Sequence, residues 1–501
     1  VRNLVEFILR SGDLDSRRGT MDKEAMLKGS RLHRKLQKQM DGDYRAEVAL
    51  KRESSYEDLS IQVEGRADGI FTEEETTWID EIKGIYGNVE KLEQPVAVHK
   101  AQAMCYGYIV AMEENLSSIG IQMTYANLDT EEIKRFREVF SIEDLSDWYQ
   151  KLLDEYHKWL SYSLKWKKER NESLQNLEFP FPYREGQRKM VGSVYHSISA
   201  GRQIFIQAPT GVGKTMSAVF PAVRAIGEGK GETLFYLTAK TITRTVAEEA
   251  FRILREKGLK FKVTSITAKE KLCFLDTPEC TPEKCPYAKG HFDRVNDAVY
   301  ELWTTEEVYS REVIREHAGK WQVCPFEMCL DLSIWTDGVI CDYNYAFDPN
   351  VHLKRFFGDN ISGDYIFLID EAHNLVERGR EMYSADIYRG NIVTLRRKVR
   401  RLFPKLARTL DKANRQMQEL EDNLGENGSE YQVLATPGPL PLTFLTISGQ
   451  LEEILEDKNM EEELRKEILE FYFTVRDFLN VSELVDENYV VYTEKCGETD
   501  F

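Results

Sequence analysis

The sequence predicts an α/β protein built on a mostly parallel sheet, preceded by a smaller α+β block. Three observations support this fold class. The apolar run Ile204–Ile206 is followed by a turn with Pro209 and Gly211, and then by a helix-like stretch from Met216. A second apolar run, 365–369, ends in two carboxylates, and three strand-like runs lie close together near the N-terminus. Strands that alternate with helices indicate a parallel sheet, whereas clustered strands indicate a separate α+β layer.

The composition limits the class of protein. A chain of 501 residues with 42% hydrophobic residues is long enough for about two to four domains with real cores. No apolar run has a membrane-spanning length and no signal peptide is apparent, so we expect a cytoplasmic protein without a membrane partner. The net charge of −18 argues against nucleic-acid binding unless a local basic face exists.

The turn after Ala208 has the features of a phosphate-binding loop. Backbone N–H groups in a turn that opens a helix converge on an anion. Lys214 is expected to reach the β- and γ-phosphates of a nucleotide, and the Thr215 hydroxyl is expected to hold Mg²⁺. The strict pattern begins with Gly, and Ala208 stands in that position here. The other predicted loop residues are Thr210, Gly211 and Gly213.

The second apolar strand leads into Asp370 and Glu371, within the sequence Asp-Glu-Ala-His. Asp370 is placed to hold Mg²⁺ through water, and Glu371 to polarise the attacking water. Upstream of the loop, the Gln187 amide can read the N6/N7 edge of adenine, with support from Arg184. These residues predict an ATP site at the carboxyl ends of parallel strands.

The N-terminal block contains a different acidic pattern. Glu81 and Lys83 are two residues apart on one predicted strand, so they share a face, whereas Asp80 points to the other face. Asp68, near the end of the preceding strand, can join them. Two carboxylates can hold a divalent ion and a lysine can orient or deprotonate water, which is the equipment for metal-assisted phosphodiester hydrolysis.

These residues resemble the RecB-type branch of the PD-(D/E)xK nucleases over roughly residues 25–130. That family pairs a helix His, a strand Asp, an acidic-x-Lys strand and a downstream Gln-x-x-x-Tyr helix. The resemblance implies Mg²⁺ or Mn²⁺ at the site. The matching residues are His33, Asp68, Glu81, Lys83, Gln102 and Tyr106, of which His33, Asp68 and Glu81 are the implied metal ligands.

A cysteine-rich insert lies between two predicted core strands. In a cytosolic protein, clustered thiols favour a metal centre over disulfides. Zinc and an iron–sulfur cluster both accept four thiolates, and the spacing alone favours neither. The thiols are Cys273, Cys280, Cys285, Cys324 and Cys329.

Taken together, the Gln187 segment, the relaxed phosphate loop, the insert and the Asp-Glu-Ala-His sequence resemble the XPD/DinG family of superfamily 2 DNA helicases, over roughly residues 180–500. The resemblance implies a RecA-like P-loop motor, a [4Fe–4S] cluster in the insert and a helical arch. The step Cys324-Pro-Phe matches the last cluster ligand of that family. The implied ligands are Cys273, Cys280, Cys285 and Cys324, with Cys329 as the spare thiol.

The pattern predicts a long amphipathic helix over 131–175 whose charged end, from Lys165, is a linker, and a basic helical region from Arg396 to Arg415. Because no second motor domain or Ser-Ala-Thr-like motif follows, we expect the chain to be an excerpt. The predicted domains are a nuclease-like domain at 1–175, the first motor domain at 176–267 and 336–385, a cluster insert at 268–335 and a helical arch at 386–501.

The leading interpretation is an ATP-dependent DNA helicase, 5′→3′ by resemblance, with a fused Mg²⁺- or Mn²⁺-dependent nuclease. We expect it to act as a monomer on single-stranded or forked DNA in DNA repair. Two alternatives stay open. One is an ATP-binding, DNA-binding module whose nuclease fold is catalytically degenerate, and the other is a zinc-stapled ATP switch that moves no DNA.

Overall fold

A computed structural model describes residues 1–16, 23–40, 42–86, 88–209, 211–239, 241–358, 361–427, 430–455 and 460–495. The chain forms two compact units. One contains Val1–Cys341 and Ser362–Asp370, and the other contains Asp342–Ile361 and Glu371–Phe501. None of the described helices has the length and apolar character needed to cross a membrane.

The N-terminal part of the first unit is a five-stranded mixed sheet in the order β1-β2-β3-β4-β5. Only β3 and β4 pair in parallel, and α3 crosses over between them. Because α3 is apolar on nearly all sides, it lies buried against β3 and β4. The elements are α1 (Arg2–Leu9), α2 (Lys23–Lys38), β1 (Arg45–Ser55), β2 (Ser60–Glu73), β3 (Thr76–Ile85), α3 (Ala97–Glu114), β4 (Ser118–Asn127), β5 (Ile133–Ser141) and α4 (Ile142–Gln175).

The segment 131–175 is not one helix. Its first part is β5, which pairs antiparallel with β4, and α4 begins only at Ile142, capped by the Ser141 hydroxyl. The expected linker from Lys165 is also wrong, because α4 continues to Gln175 and buries Trp166 and Leu174. The many charged residues from Lys165 onward indicated a solvent-exposed linker. A charged helix can nevertheless pack against the protein if one of its faces carries buried apolar residues, as this one does.

The second part of the first unit is a parallel sheet in the order β10-β6-β9-β7-β8. This confirms the predicted parallel α/β architecture, and α6 packs against β6 and β10. The elements are α5 (Gln187–Ser199), α6 (Lys214–Gly227), β6 (Thr233–Thr238), α7 (Thr241–Glu256), β7 (Val263–Ser265), α8 (Lys269–Leu272), α9 (His291–Thr305), β8 (Val308–Tyr309), α10 (Arg311–Trp321), α11 (Pro325–Ser333), β9 (Gly338–Asp342) and β10 (Tyr365–Ile369).

The apolar run Ile204–Ile206 does not form the expected buried strand. Residues 202–209 adopt no regular secondary structure, and the Phe205 side chain is 88% exposed. An apolar run supplies β propensity, but a strand forms only where a neighbouring strand satisfies its backbone groups. No described strand pairs with this segment.

The second unit is helical, as expected, with one added two-stranded antiparallel ribbon. Its core lies among α15, α16, α17 and α18 and includes Leu410, Phe444 and Val475. The elements are α12 (Asn344–Phe347), α13 (Lys354–Phe357), α14 (Leu375–Met382), α15 (Arg389–Val399), α16 (Pro404–Asn427), β11 (Tyr431–Leu434), α17 (Leu440–Leu455), α18 (Glu462–Leu484) and β12 (Val491–Glu494).

Candidate functional site

The antiparallel pairing of β2 and β3 brings the predicted acidic residues together. Gly69 lies opposite Asp80, so Asp68 comes beside Glu81. Asp68 Oδ2 accepts a hydrogen bond of 2.8 Å from the backbone N–H of Ile82. Lys83 Nζ lies 2.8 Å from Glu81 Oε1, as expected for residues that share one strand face.

Helices α2 and α3 add the other predicted residues. Lys83 Nζ donates to Gln102 Oε1 at 3.1 Å, and Gln102 Nε2 donates to the Tyr106 hydroxyl at 3.4 Å. On the other side, His33 Nδ1 lies 3.7 Å from Asp68 Oδ1. Polar contacts and strand pairing therefore bring His33, Asp68, Glu81, Lys83, Gln102 and Tyr106 into one cluster.

A glycine allows this close packing. A Cβ on Gly65 would come within 2.8 Å of the Tyr106 ring and hydroxyl, so the bare backbone of β2 accepts the ring. Burial raises the pKa of the Tyr106 hydroxyl to about 12. The tyrosine therefore stays neutral, and it helps to close one side of the acidic cluster.

Glu81 is the electrostatic centre of the cluster. The residue is 1% exposed. Burial, followed by the nearby Asp68 carboxylate, raises the pKa of Glu81 to about 8, although the Lys83 ammonium opposes this shift. Its Oε2 is buried without a hydrogen-bond partner. A buried acceptor without a partner is costly, and a bound cation would remove that cost.

The donor set suits a hard divalent cation, because two carboxylates and an imidazole are ligands that Mg²⁺ and Mn²⁺ accept. Among the described residues, no group of three or more His, Cys, Asp or Glu side chains has a geometry that could hold a metal ion as it stands. The Lys83 ammonium instead compensates Glu81. The residues fit a metal, and the metal role stays a prediction.

Asp80 points to the opposite face of β3, as the strand period requires. Its Oδ1 accepts hydrogen bonds from Gln122 at 2.9 Å and Thr124 at 2.6 Å, and its Oδ2 accepts one from the Tyr44 hydroxyl at 3.0 Å. Because both carboxylate oxygens have donors, Asp80 is a structural residue of the sheet.

Gln187 and Arg184 hold the phosphate-type loop. Gln187 Nε2 donates to the Val212 carbonyl at 2.7 Å, and its Oε1 accepts from the Arg184 backbone N–H at 2.8 Å. The Arg184 guanidinium donates to the Gly211 carbonyl. Gly213 has a φ of +78°, and a Cβ there would come within 2.6 Å of the Gln187 amide. Both the nitrogen and the oxygen of the Gln187 side-chain amide form hydrogen bonds within the protein, so the role of this amide in adenine binding stays a prediction.

The other residues predicted to bind ATP and Mg²⁺ lie next to the parallel sheet. Lys214 and Thr215 are the first residues of α6, whose body packs against β6 and β10. Asp370 follows β10 directly, and its backbone N–H donates to the Leu237 carbonyl at 2.9 Å. Thr210 lies outside the described residues.

Glu371 begins the main segment of the second unit and has a left-handed backbone, with φ +50°. Its carbonyl accepts hydrogen bonds from the Tyr343 hydroxyl at 3.2 Å and from Asn374 Nδ2 at 3.1 Å. For a residue other than Gly this conformation costs about 1–2 kcal/mol. These two donors fix the chain at Glu371.

The four cysteines implied as cluster ligands line one cavity, and the spare Cys329 does not. Burial raises the pKa of the Cys324 thiol to about 12, so this thiol needs a metal ion to ionise at neutral pH. Four thiols around one small cavity suit an iron–sulfur cluster or zinc. The lining cysteines are Cys273, Cys280, Cys285 and Cys324.

Two residues beside this cavity were not predicted. Lys269 lines it, and its ammonium interacts with the Cys280 thiol through a hydrogen bond. Arg315 donates to the Cys273 carbonyl at 2.7 Å and lies over the Phe274 ring. Lys269 stands four residues before Cys273, and this short spacing was a sequence signal that could have identified it. Arg315 belongs to the distant helix α10, so no sequence signal linked it to the cysteines.

Comparisons with known proteins match the motor region. Residues 184–286 match the DEAD/DEAH box helicase model, and residues 238–392 match the DEAD_2 model. A similar relative is the Fanconi anemia group J protein homolog of Gallus gallus, 31% identical over 88 residues, which are 18% of this chain and 6% of that protein.

A second relative is the general transcription and DNA repair factor IIH helicase subunit XPD of Dictyostelium discoideum. It is 23% identical over 237 residues, covering 40% of this chain and 30% of that protein, so the chain spans well under half of either relative. A solved structure titled XPD helicase has 18% identity and a TM-score of 0.39, covering 60% of this chain and 51% of that one. The two family matches therefore indicate a DEAD/DEAH-type helicase region within residues 184–392 of this chain.

Proposed function

We propose that this chain is part of an ATP-dependent DNA helicase, 5′→3′ in direction, that carries a fused metal-dependent DNA nuclease and serves in DNA repair. The helicase matches over 184–392 support the motor assignment, and the name of the second relative, a DNA repair factor helicase subunit, supports the motor and repair assignments. The observation that carries the nuclease assignment is the cluster of six polar side chains centred on Glu81. The domain bounds given above from the sequence belong to this proposal.

In the nuclease-like site, His33, Asp68 and Glu81 would hold Mg²⁺ or Mn²⁺, which supplies Lewis-acid activation of a phosphodiester and of water. The chain's own residues position the reactants. Lys83 Nζ, which donates to Gln102 Oε1 at 3.1 Å, would orient the attacking water. The buried Glu81 must lose its proton for metal to bind, so metal affinity and cutting rise as the pH passes about 8.

The same cluster favours an active nuclease over the degenerate alternative. A domain that only grips DNA has no need for a buried carboxylate with an unsatisfied oxygen, because such a group costs stability. Glu81 Oε2 is such a group. Its position beside Lys83, which also contacts Gln102, supports catalysis.

In the motor, ATP with Mg²⁺ would bind at the phosphate-type loop. Lys214 and Thr215 at the start of α6 would contact phosphate and Mg²⁺. Asp370 would hold Mg²⁺ through water, and Glu371 would order the attacking water. Loop residues Thr210, Gly211 and Gly213, with Arg184 and Gln187, complete the proposed nucleotide site.

In the insert, Cys273, Cys280, Cys285 and Cys324 would hold a [4Fe–4S] cluster. The cavity that they share supports this set over one that includes Cys329. Zinc stays the alternative occupant, because four thiolates accept either. Iron, sulfide and zinc analysis of the purified chain decides between them.

The proposed partner is single-stranded or forked DNA, and α15 and α16 offer a basic surface. Arg396 and Lys398 pair with Asp411 and Glu467. Other basic side chains on the same helices are exposed and can contact phosphates despite the net charge of −18. The exposed residues on these helices are Arg397, Arg408 and Lys412, and the exposed Arg400 follows α15 directly.

A nuclease assay tests the proposal. Wild-type chain, Asp68→Ala and Lys83→Ala are incubated with end-labelled single-stranded DNA and Mn²⁺, with Asp129→Ala as an exposed matched control. We expect cutting by wild type and control, and a loss of about a hundredfold or more in both site variants. Intact cutting by both site variants would dismiss the catalytic assignment, and binding without cutting by the wild type would favour the degenerate module.

A further inference from the structure

The N-terminal segment Arg10–Ser16, called the strap below, follows helix α1 and runs along the cysteine insert. Leu14 N–H donates to the Ala288 carbonyl at 2.9 Å, and Ser16 N–H donates to the Cys280 carbonyl at 2.9 Å. In return, Phe292 N–H donates to the Gly12 carbonyl at 3.0 Å. Backbone bonds of this kind join two segments more than 260 residues apart in the chain.

Side chains add to this attachment. Asp13 Oδ1 accepts from the Gly290 N–H at 2.6 Å, and Asp293 Oδ1 accepts from the Gly12 N–H at 2.7 Å. At the start of the strap, the Arg10 guanidinium lies 2.8 Å from Asp331 Oδ2, and both side chains are largely buried. The strap is therefore docked along its length.

The strap also covers the cysteine cavity. Leu14 is one of its lining residues, together with the four cysteines. The Ser16 N–H donates to the carbonyl of Cys280, which is itself a lining residue. The Leu14 N–H donates to the carbonyl of Ala288, which also lines the cavity. Without the strap, the apolar Leu14 side chain and two backbone anchors would be missing from this wall.

Helix α1, which leads directly into the strap, is embedded in the N-terminal domain. Val5 of α1 is fully buried in the core that contains α3, the helix of Gln102. Phe7 contacts the Trp159 ring of α4, with ring centres 5.0 Å apart. One short stretch of chain is thus anchored in the nuclease-like domain at one end and on the cysteine insert at the other.

We infer that the strap is a cover for the cysteine centre, supplied by the nuclease-like domain, which slows loss of the centre to solvent. This inference rests on the proposed function, in that a metal or cluster occupies the cavity. The apolar shell around a metal site controls solvent access to it. The arrangement makes retention of the centre depend on a domain outside the insert, and it makes docking of the strap depend on the centre.

The first test compares the full chain with the double variant Asp13→Ala/Leu14→Ala. The matched control is Asp129→Ala/Leu164→Ala, which changes the same residue types at exposed positions outside the cavity lining. Iron and sulfide are counted, and bleaching of the visible band by a chelator is timed. We expect bleaching about fivefold faster or more in the strap variant, with the control unchanged.

The second test needs no strap variant. Hydrogen exchange is measured at the Leu14 and Ser16 amides in the loaded chain and after removal of the metal by a chelator. We expect slow exchange when loaded and faster exchange when stripped, with the Val5 amide unchanged.

The outcomes distinguish failure of the proposed cysteine centre from failure of the inferred covering role of the strap. Iron absent from freshly prepared wild type, with no zinc in its place, overturns the proposed centre and the inference with it. A normal centre that bleaches at the wild-type rate in the strap variant, or strap amides that exchange equally fast in loaded and stripped chain, overturns the inference alone.

Discussion

Replacing Glu81 by Gln removes the proton that the acidic cluster is expected to exchange near neutral pH. In the folded chain the pKa of Glu81 is raised from 4.5 to about 8, first by burial and then by Asp68. Between these two pH values the folded state holds a proton that the unfolded state has lost. The free energy of unfolding therefore falls as the pH rises through this window, by at most about 1.4 kcal/mol per pH unit from this one group.

Glu81→Gln keeps the shape and a carbonyl oxygen for Lys83, but it has no proton to exchange. We expect the difference in unfolding free energy between variant and wild type to grow from pH 5 to pH 8 in favour of the variant. Urea unfolding at several pH values measures it, with the exposed Glu93→Gln as the control. A difference that does not change with pH would refute the reasoning about Glu81.

The same variant tests the metal. Mn²⁺ binds the ionised carboxylate, so it should stabilise the wild type more at pH 8.5 than at pH 6.5. At a metal concentration one hundred times the dissociation constant, the gain is about 2.7 kcal/mol. We expect little or no gain in Glu81→Gln. An equal Mn²⁺ effect in the variant would place the ion elsewhere.

Three further predictions concern other parts of the first unit. Lys214→Ala should weaken ATP binding about tenfold or more, as measured by fluorescent-nucleotide titration; unaltered binding would contradict the loop assignment. Cys324→Ser should lower the iron content per chain, whereas Cys329→Ser should not, and the reverse result would exchange their roles. Arg170→Met should destabilise the chain by about 3–5 kcal/mol in urea, because it leaves the buried Asp337 carboxylate without its cation at 2.7 Å; a change below about 1 kcal/mol would contradict this.

The sequence predicted the acidic cluster well because its geometry follows from local rules. The two-residue period of a strand put Glu81 and Lys83 on one face and Asp80 on the other, and the structure shows this arrangement. A helical turn likewise separates Gln102 from Tyr106. What the local rules left open was how close the elements come, which depends on strand pairing and on the bare backbone of Gly65.

The features that the sequence did not predict correctly depend on contacts with residues that are distant in the chain. The run Ile204–Ile206 is apolar, yet no described strand pairs with it, and composition alone cannot supply a partner. Lys165–Gln175 is charged, yet it buries Trp166, whose indole N–H donates to Asp337 Oδ2 at 2.8 Å. The strap has no apolar period, and its partners lie in the insert, so no local pattern indicated its place.

The most direct test of the proposed nuclease site is anomalous diffraction from crystals soaked in Mn²⁺ above pH 8, where Glu81 can ionise. We predict a manganese peak in contact with Glu81 Oε2 and Asp68, at about 2.0–2.2 Å, the range that small divalent cations adopt with oxygen. Saturating Mn²⁺ with no peak there, and the Lys83 ammonium still paired with Glu81, would contradict it.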